Sequence, residues 1–206
     1  MYVVKVNRAT GKRRQRSAIS VRERLENTAD ALFSQQGYAV TPVRDLMHAA
    51  GVVPRSFYDT FPSKKELGLV YLRRKEEESM ADLKALMRDY PEPKQLFRAW
   101  VLAKKRQIKR GEFFGCPFLR FALQMPAGDA EFQGQLKSVT KMWEDLLCGY
   151  IGDAIALGHL PREADAPALA RKALAVYEGN VAMWRISGLT IYLDQMPEMF
   201  EAILKG

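Results

Sequence analysis

The sequence predicts an all-α protein, a small three-helix unit near the N-terminus followed by a larger helical bundle. Three observations carry this. Apolar residues recur at helical spacing along most of the 206 residues, with no sustained alternation and no Asn-Gly turn between apolar runs. Helix start and stop signals succeed one another along the chain. Two of the helices are short and separated only by a tight turn, the pattern of a helix-turn-helix.

Ser20 starts the first helix, its hydroxyl facing the amides ahead while Glu23 reaches back to close a capping box. Val21, Leu25, Ala29, Leu32, Phe33 and Gln36 follow at helical spacing, and Gly37 stops the helix where left-handed backbone is wanted. Thr41 and Pro42 signal the second start: a capping hydroxyl, then a proline at the first helical position, with Asp45 near the positive helix end. Gly51 closes that helix. Pro54 opens a third, carrying Arg55, Ser56, Phe57, Tyr58 and Phe61, and Ser63 with Glu66 forms a second capping box for a long helix through Leu67, Val70 and Tyr71. Val43, Leu46, Met47, Val52 and Phe57 form a small core. Arg44, Pro54, Arg55, Ser56 and Tyr58 are left outside, with chemistry suited to base edges and phosphates of a major groove.

Charge is divided unevenly along the chain. Residues 1–75 hold 15 Lys and Arg against 6 Asp and Glu, and residues 76–206 hold 17 against 18, so +9 lies in front and −1 behind within a total of +8. A packed basic front points to a polyanion, nucleic acid before membrane. The 48% hydrophobic content supports a real core. No apolar run approaches the roughly 20 residues of a membrane helix, and no signal-peptide apolar stretch follows the basic start, so a soluble cytoplasmic protein with no membrane partner is expected. Cys116 and Cys148 are too few for a disulfide framework and no Cys or His stands at metal-ligand spacing, so neither metal nor cofactor is expected. Lys12, Arg13, Arg14 and Arg16 read either as an arm to phosphates or the minor groove, or as a solubilising tail.

Residues 20–72 resemble the DNA-binding domain of the TetR (tetracycline-repressor-like) family. The resemblance runs through Ala31-Leu32-Phe33, Gly37-Tyr38, Thr41, Val43-Arg44-Asp45-Leu46, Ala49-Ala50-Gly51-Val52, Phe57-Tyr58, Phe61 and Ser63-Lys64-Lys65-Glu66-Leu67. It places the helix-turn-helix on residues 43–62 and implies that Thr41, Ser56, Tyr58 and Lys64 help hold phosphates or bases, with Arg44 and Arg55 at positions that often contribute. Two departures stand out. Val53 occupies a position where the family commonly has Ser or Thr, which removes a side-chain cap. Asp59 and Thr60 replace an aromatic or His, and a carboxylate facing DNA either reads a cytosine amine or turns away.

Behind the reading unit the resemblance implies a helical body that dimerises and carries an effector pocket. Pro91 and Pro93 punctuate a loop before a helix marked by Leu96, Phe97, Trp100, Val101, Lys104 and Ile108, and residues 111–115 form a further break. Residues 113–120 resemble a Gly-Cys turn that opens a helix beside the ligand cavity in one branch of the family. Cys116 at that helix start, with Pro117 following and Lys109, Arg110 and Arg120 nearby, reads as a thiolate that senses electrophiles or oxidants, or as a small buried apolar side chain. Phe97, Trp100, Phe118, Trp143, Tyr177 and Trp184 line a pocket or fill the bundle, and Arg120 or Arg185 pairs an acidic effector or stays solvated. Cys148, mid-helix among Leu146, Leu147 and Ile151, is read as core. Ala175, Gly179 and Ala182 are small residues that let a second helix approach, and the Tyr177-Glu178-Gly179 segment resembles the dimerisation helix of these regulators.

The expected organisation is a basic arm over 1–19, a DNA-binding domain over 20–80 and an effector-binding and dimerisation domain over 81–206. The expected function is a homodimeric transcriptional regulator on a palindromic double-stranded operator, a repressor released by a small-molecule or electrophile effector. Two alternatives stand beside it, a non-specific nucleic-acid binder and a thiol-based enzyme around Cys116. His48 lies in the reading unit and His159 in a turn, so neither is a partner base, and no nucleophile elbow, P-loop or dinucleotide fingerprint appears; the chain is not expected to be an enzyme.

Overall fold

The structure, a computed structural model, describes residues 19–205; the basic stretch Lys12 to Arg16 lies outside them. Among the described residues every regular element is an α-helix, and no helix is long and apolar enough to cross a membrane.

Three helices form the front unit: α1 (Val21–Gln35), α2 (Val43–Ala50) and α3 (Pro54–Thr60). The Ser20 hydroxyl accepts from the Glu23 amide at 3.1 Å, so the hydroxyl half of the first capping box forms. The start of α2 differs from expectation. Its cap is Pro42, without a side-chain bond, while Thr41 is 0% exposed and its hydroxyl donates to the Gly37 carbonyl at 2.7 Å. Thr41 thus fixes the turn after α1 rather than the start of α2, because a buried hydroxyl takes the nearest carbonyl left free by the helix end. Gly51 ends α2 in the left-handed region at φ 60°, which costs glycine little. Pro54 then opens α3 after Val53, which makes no side-chain cap bond. Leu46, Val52 and Phe57 are buried under this turn, with Val43 and Met47 half-buried beside them.

The 26-residue α4 (Lys64–Asp89) runs without interruption from the front unit into the body, so the division expected at residue 80 falls within a helix that both parts share. The Ser63 hydroxyl caps it, accepting from the Glu66 amide at 3.2 Å. Gly68 on α4 is required by close approach: a Cβ there would lie 2.7 Å from the Tyr38 ring and 3.3 Å from that of Phe132.

The body consists of α5 (Pro93–Lys109), α6 (Pro117–Ala122), α7 (Ala130–Ala156), α8 (Ala166–Ser187), α9 (Ile191–Asp194) and α10 (Met196–Leu204). At 27 residues α7 is the longest helix, and it contains Gly134, Gly149 and Gly152. Asp129 secures its start, accepting from the Glu131 and Phe132 amides at 3.2 Å each. Asp165 caps α8 through the Ala168 amide at 2.9 Å, and Gly188 ends it in the left-handed region. α7 and α8 pack along one another, and α10 covers α5 and α8. Stacked rings tie these layers: Trp100 on Tyr177 at 4.3 Å between centroids, Phe97 on Phe200 at 4.2 Å.

Candidate DNA interface and effector cavity

Two arginines of α1 orient the helix-turn-helix. Arg24 Nη1 donates to the carbonyls of Ala50 and Gly51, each at 3.1 Å, where α2 ends. Arg22 Nη2 donates to the Thr60 carbonyl at 3.3 Å, where α3 ends, and its guanidinium stands 4.5 Å from the centroid of the Phe61 ring. Each cation meets the negative end of a helix dipole and satisfies carbonyls that the helix leaves free. One helix therefore sets the mutual angle of the other two. Neither arginine was singled out in the sequence, because their partners are backbone atoms distant in the chain.

Arg44 on α2 and Pro54, Arg55 and Tyr58 on α3 are exposed, and Ser56 is half-buried. Arg55 Nε lies 3.8 Å from Asp59 Oδ2, with the two side chains 92% and 71% exposed. A pair so wet and so long is weak, and Arg55 is free to take a better anion. Arg44 Nε lies 3.2 Å from Asp45 Oδ1. The Thr60 hydroxyl turns back to the Ser56 carbonyl at 2.7 Å. Lys64 is half-buried: its Nζ stands 4.4 Å above the Tyr38 ring and donates to the Ala39 carbonyl at 3.4 Å, and burial lowers its pKa. Thr41 stands apart from these residues: it is buried, and its hydroxyl is donated to the Gly37 carbonyl rather than presented to solvent.

The front unit is fastened to the body mainly through α6 and the start of α7. The Arg120 guanidinium donates to the carbonyls of Ser34 and Gln35 at the end of α1, and the Ala39 amide donates to Gln124 Oε1 at 3.3 Å. Lys65 on α4 pairs with Asp129 at 3.0 Å and Glu131 at 2.9 Å. Between these polar ties Tyr38 packs on Phe121, 4.6 Å between centroids.

On its other side α6 forms one wall of a cavity of about 230 Å³. Cys116, Phe118 and Leu119 line it from α6 and its cap, Leu136, Thr140 and Trp143 from α7, and Glu178 from α8. Among residues expected at a pocket, Cys116, Phe118 and Trp143 are brought together here. The others are placed differently. Phe97 is spent on Phe200, Tyr177 stacks on Trp100, Trp184 stacks on Phe113 at 5.8 Å, and Arg120 reaches α1; none of these lines this cavity.

Of the two readings of Cys116, its surroundings suit the small buried side chain better than the sensing thiolate. Cys116 caps α6 with Pro117 following, as expected, and the amides of Phe118 and Leu119 favour the thiolate. Yet Cys116 is 5% exposed, and burial, reinforced by the Glu178 carboxylate beside it, pushes the thiol well above its ordinary value. Glu178 itself, missed in the sequence as a pocket residue, has its pKa raised by burial. Cys148 is half-buried on α7, packed against the core.

Comparison with known proteins agrees with this architecture. Residues 27–69 match the model of bacterial regulatory proteins of the tetR family, and residues 94–200 match that of the tetracyclin repressor-like C-terminal domain. No curated protein matches. Similar solved structures include a regulatory protein TetR from Rhodobacter sphaeroides, 22% identical over 89% of this chain and 98% of that one, at a TM-score of 0.78. Another is reduced NemR of E. coli, 19% identical over 90% and 97%, at 0.79. A third is a TetR transcriptional regulator from Chloroflexus aurantiacus, 24% identical over 90% and 94%, at 0.77. With a reading unit at one end, a capped helical body at the other, and family models covering both, the chain belongs to the TetR family of transcriptional regulators.

Proposed function

We propose that this regulator is a homodimeric repressor that occupies a palindromic operator and leaves it when a small molecule enters the body. Arg44, Arg55, Ser56 and Tyr58 contact bases and phosphates, with Pro54 setting the start of the recognition helix and Lys64 flanking it. The observation that carries this reading is the double engagement of α6. One side of that short helix lines the cavity through Cys116, Phe118 and Leu119, while Arg120 and Gln124 hold the last turn of α1 and the turn that follows it. A ligand that displaces α6 displaces α1, and α1 carries the two arginines that angle α2 and α3. The ligand releases DNA to the extent that it prefers the displaced body.

Dimerisation is supported by the outer faces of α7 and α8. Gly149, Ala175 and Gly179 are exposed, and a Cβ added at Gly149, Gly152 or Gly179 would meet nothing within 4 Å. Small residues with open space above them let a second copy of these helices approach closely, and a two-fold pair presents two recognition helices to half-sites about 34–36 Å apart. The charge division, with the positive excess in front, suits the same orientation.

Selection from random duplex DNA tests the reading. The expected product is an inverted repeat whose half-sites lie about one helical turn apart. Recovery of unrelated sequences, at retention no better than the starting pool, would contradict it and favour non-specific nucleic-acid binding.

A further inference from the structure

The effector reading leaves the ligand's chemistry open, and unpaired polar atoms on two residues of the cavity wall narrow it. Trp143 is 8% exposed, yet its indole Nε1 has no hydrogen-bond partner. Glu178 Oε2 is likewise buried and without a nitrogen or oxygen partner, the Cys116 thiol being the polar group beside its carboxyl. Both residues line the cavity whose other walls are Cys116, Phe118, Leu119 and Leu136. A buried donor and a buried acceptor left unmade are costly, and such pairs are rarely without a use.

We infer that this cavity binds a compact, uncharged, mostly apolar molecule whose polar end is a hydroxyl, donating to Glu178 and accepting from the Trp143 N–H. Size, lining and charge each contribute. At about 230 Å³ the space is smaller than the ~300–1,000 Å³ of drug-sized sites and suits one or two rings. The wall is apolar apart from Glu178, Thr140 and Trp143, and the Thr140 hydroxyl is already donated to the Leu136 carbonyl at 2.9 Å. A carboxylate alone would also welcome an ammonium. An ammonium has no lone pair to offer, however, and would leave the indole N–H as unsatisfied as before, whereas a hydroxyl serves both atoms.

The inference rests on the effector reading above, and its test separates the two. Calorimetric titration of the full chain, without DNA, compares 2-naphthol, naphthalene and 1-naphthylmethylammonium. 2-Naphthol is expected to bind at least about tenfold more tightly than naphthalene, the difference one unmade buried hydrogen bond produces, and more tightly than the ammonium. In Trp143→Phe and in Glu178→Met, each first shown to keep the wild-type circular dichroism and thermal midpoint, the preference for the hydroxyl is expected to shrink to less than about threefold. Equal binding of 2-naphthol and naphthalene, preference for the ammonium, no binding of any probe, or a preference that persists in a folded variant overturns the inference. Operator affinity is measured separately with and without 2-naphthol. A hydroxyl preference without an operator shift leaves the cavity chemistry standing and removes the effector role; sequence-specific DNA binding without a hydroxyl preference does the reverse.

Discussion

The guanidinium of Arg120, on the short helix α6, donates to the main-chain carbonyl of Ser34 in the last turn of α1, with a second arm reaching the Gln35 carbonyl at 3.4 Å. A cation at the negative end of a helix is favourable on its own account. Here it also joins the cavity wall to the helix that holds the reading unit. Burial and the neighbouring Arg185 lower the Arg120 pKa, yet its contacts with α1 are with carbonyl oxygens, and the tie does not depend on a second titrating side chain.

Arg120→Ala is expected to weaken the joint between front unit and body. The loss is about 1–3 kcal/mol, typical of hydrogen bonds from a charged group to partners left unsatisfied. Differential scanning calorimetry of the wild type should show the two parts melting together, and the variant should show an earlier, separate transition for the front unit. An unchanged single transition would mean that α6 does not couple them.

Arg55→Ala is expected to weaken binding to the selected operator by about 1–3 kcal/mol while changing binding to shuffled DNA much less, as for a side chain that reads a base edge. Its partner Asp59 is too exposed and too distant to hold it. Fluorescence anisotropy on both duplexes decides the matter. An equal loss on both would assign Arg55 to the backbone alone.

The thiol of Cys116 has its pKa raised well above the ordinary thiol value, by burial first and by Glu178 second. A group whose folded pKa exceeds its unfolded value contributes stability that is complete below the unfolded value and lost as pH rises through the folded one. Urea midpoints should therefore fall as pH climbs past about 8.5, the ordinary thiol value, and Cys116→Ala should flatten the first part of that fall. Alkylation of the native protein by iodoacetamide at pH 7 should be slow compared with a free thiol. Rapid modification under those conditions would restore the sensing thiolate.

Gly179→Arg places a long charged side chain where a Cβ meets nothing of the chain itself. The fold should survive, with circular dichroism unchanged. Analytical ultracentrifugation should show the wild type as a dimer and the variant as a monomer, with operator affinity reduced at least about a hundredfold, since two linked reading heads bind far more tightly than one. A variant that remains dimeric would move the interface away from α8.

What the sequence made legible were signals whose partners lie within a turn or two. Ser20 and Ser63 cap their helices as their spacing to Glu23 and Glu66 implied, and Gly51 and Pro54 bracket the tight turn. Thr41 sent its hydroxyl to Gly37 instead of to α2 because a nearer free carbonyl competed. Of the long helix α7 only the stretch around Cys148 was legible, and its full extent was not, because its internal glycines weaken the helical signal. At Cys116 the local argument, a helix N-terminus, was correct in sign but was outweighed by desolvation and by a carboxylate from another helix. Arg22, Arg24 and Glu178 carry no local signature at all: their roles exist only once distant segments have met.

The central claim, a sequence-specific DNA regulator, is tested most directly by titrating the full chain onto the selected operator and onto a shuffled duplex at several salt concentrations. The account predicts an affinity ratio of at least about 10³ at physiological salt, with both affinities falling as salt rises and the ratio largely preserved. Affinities that fall together with salt while remaining within about tenfold of each other would contradict it.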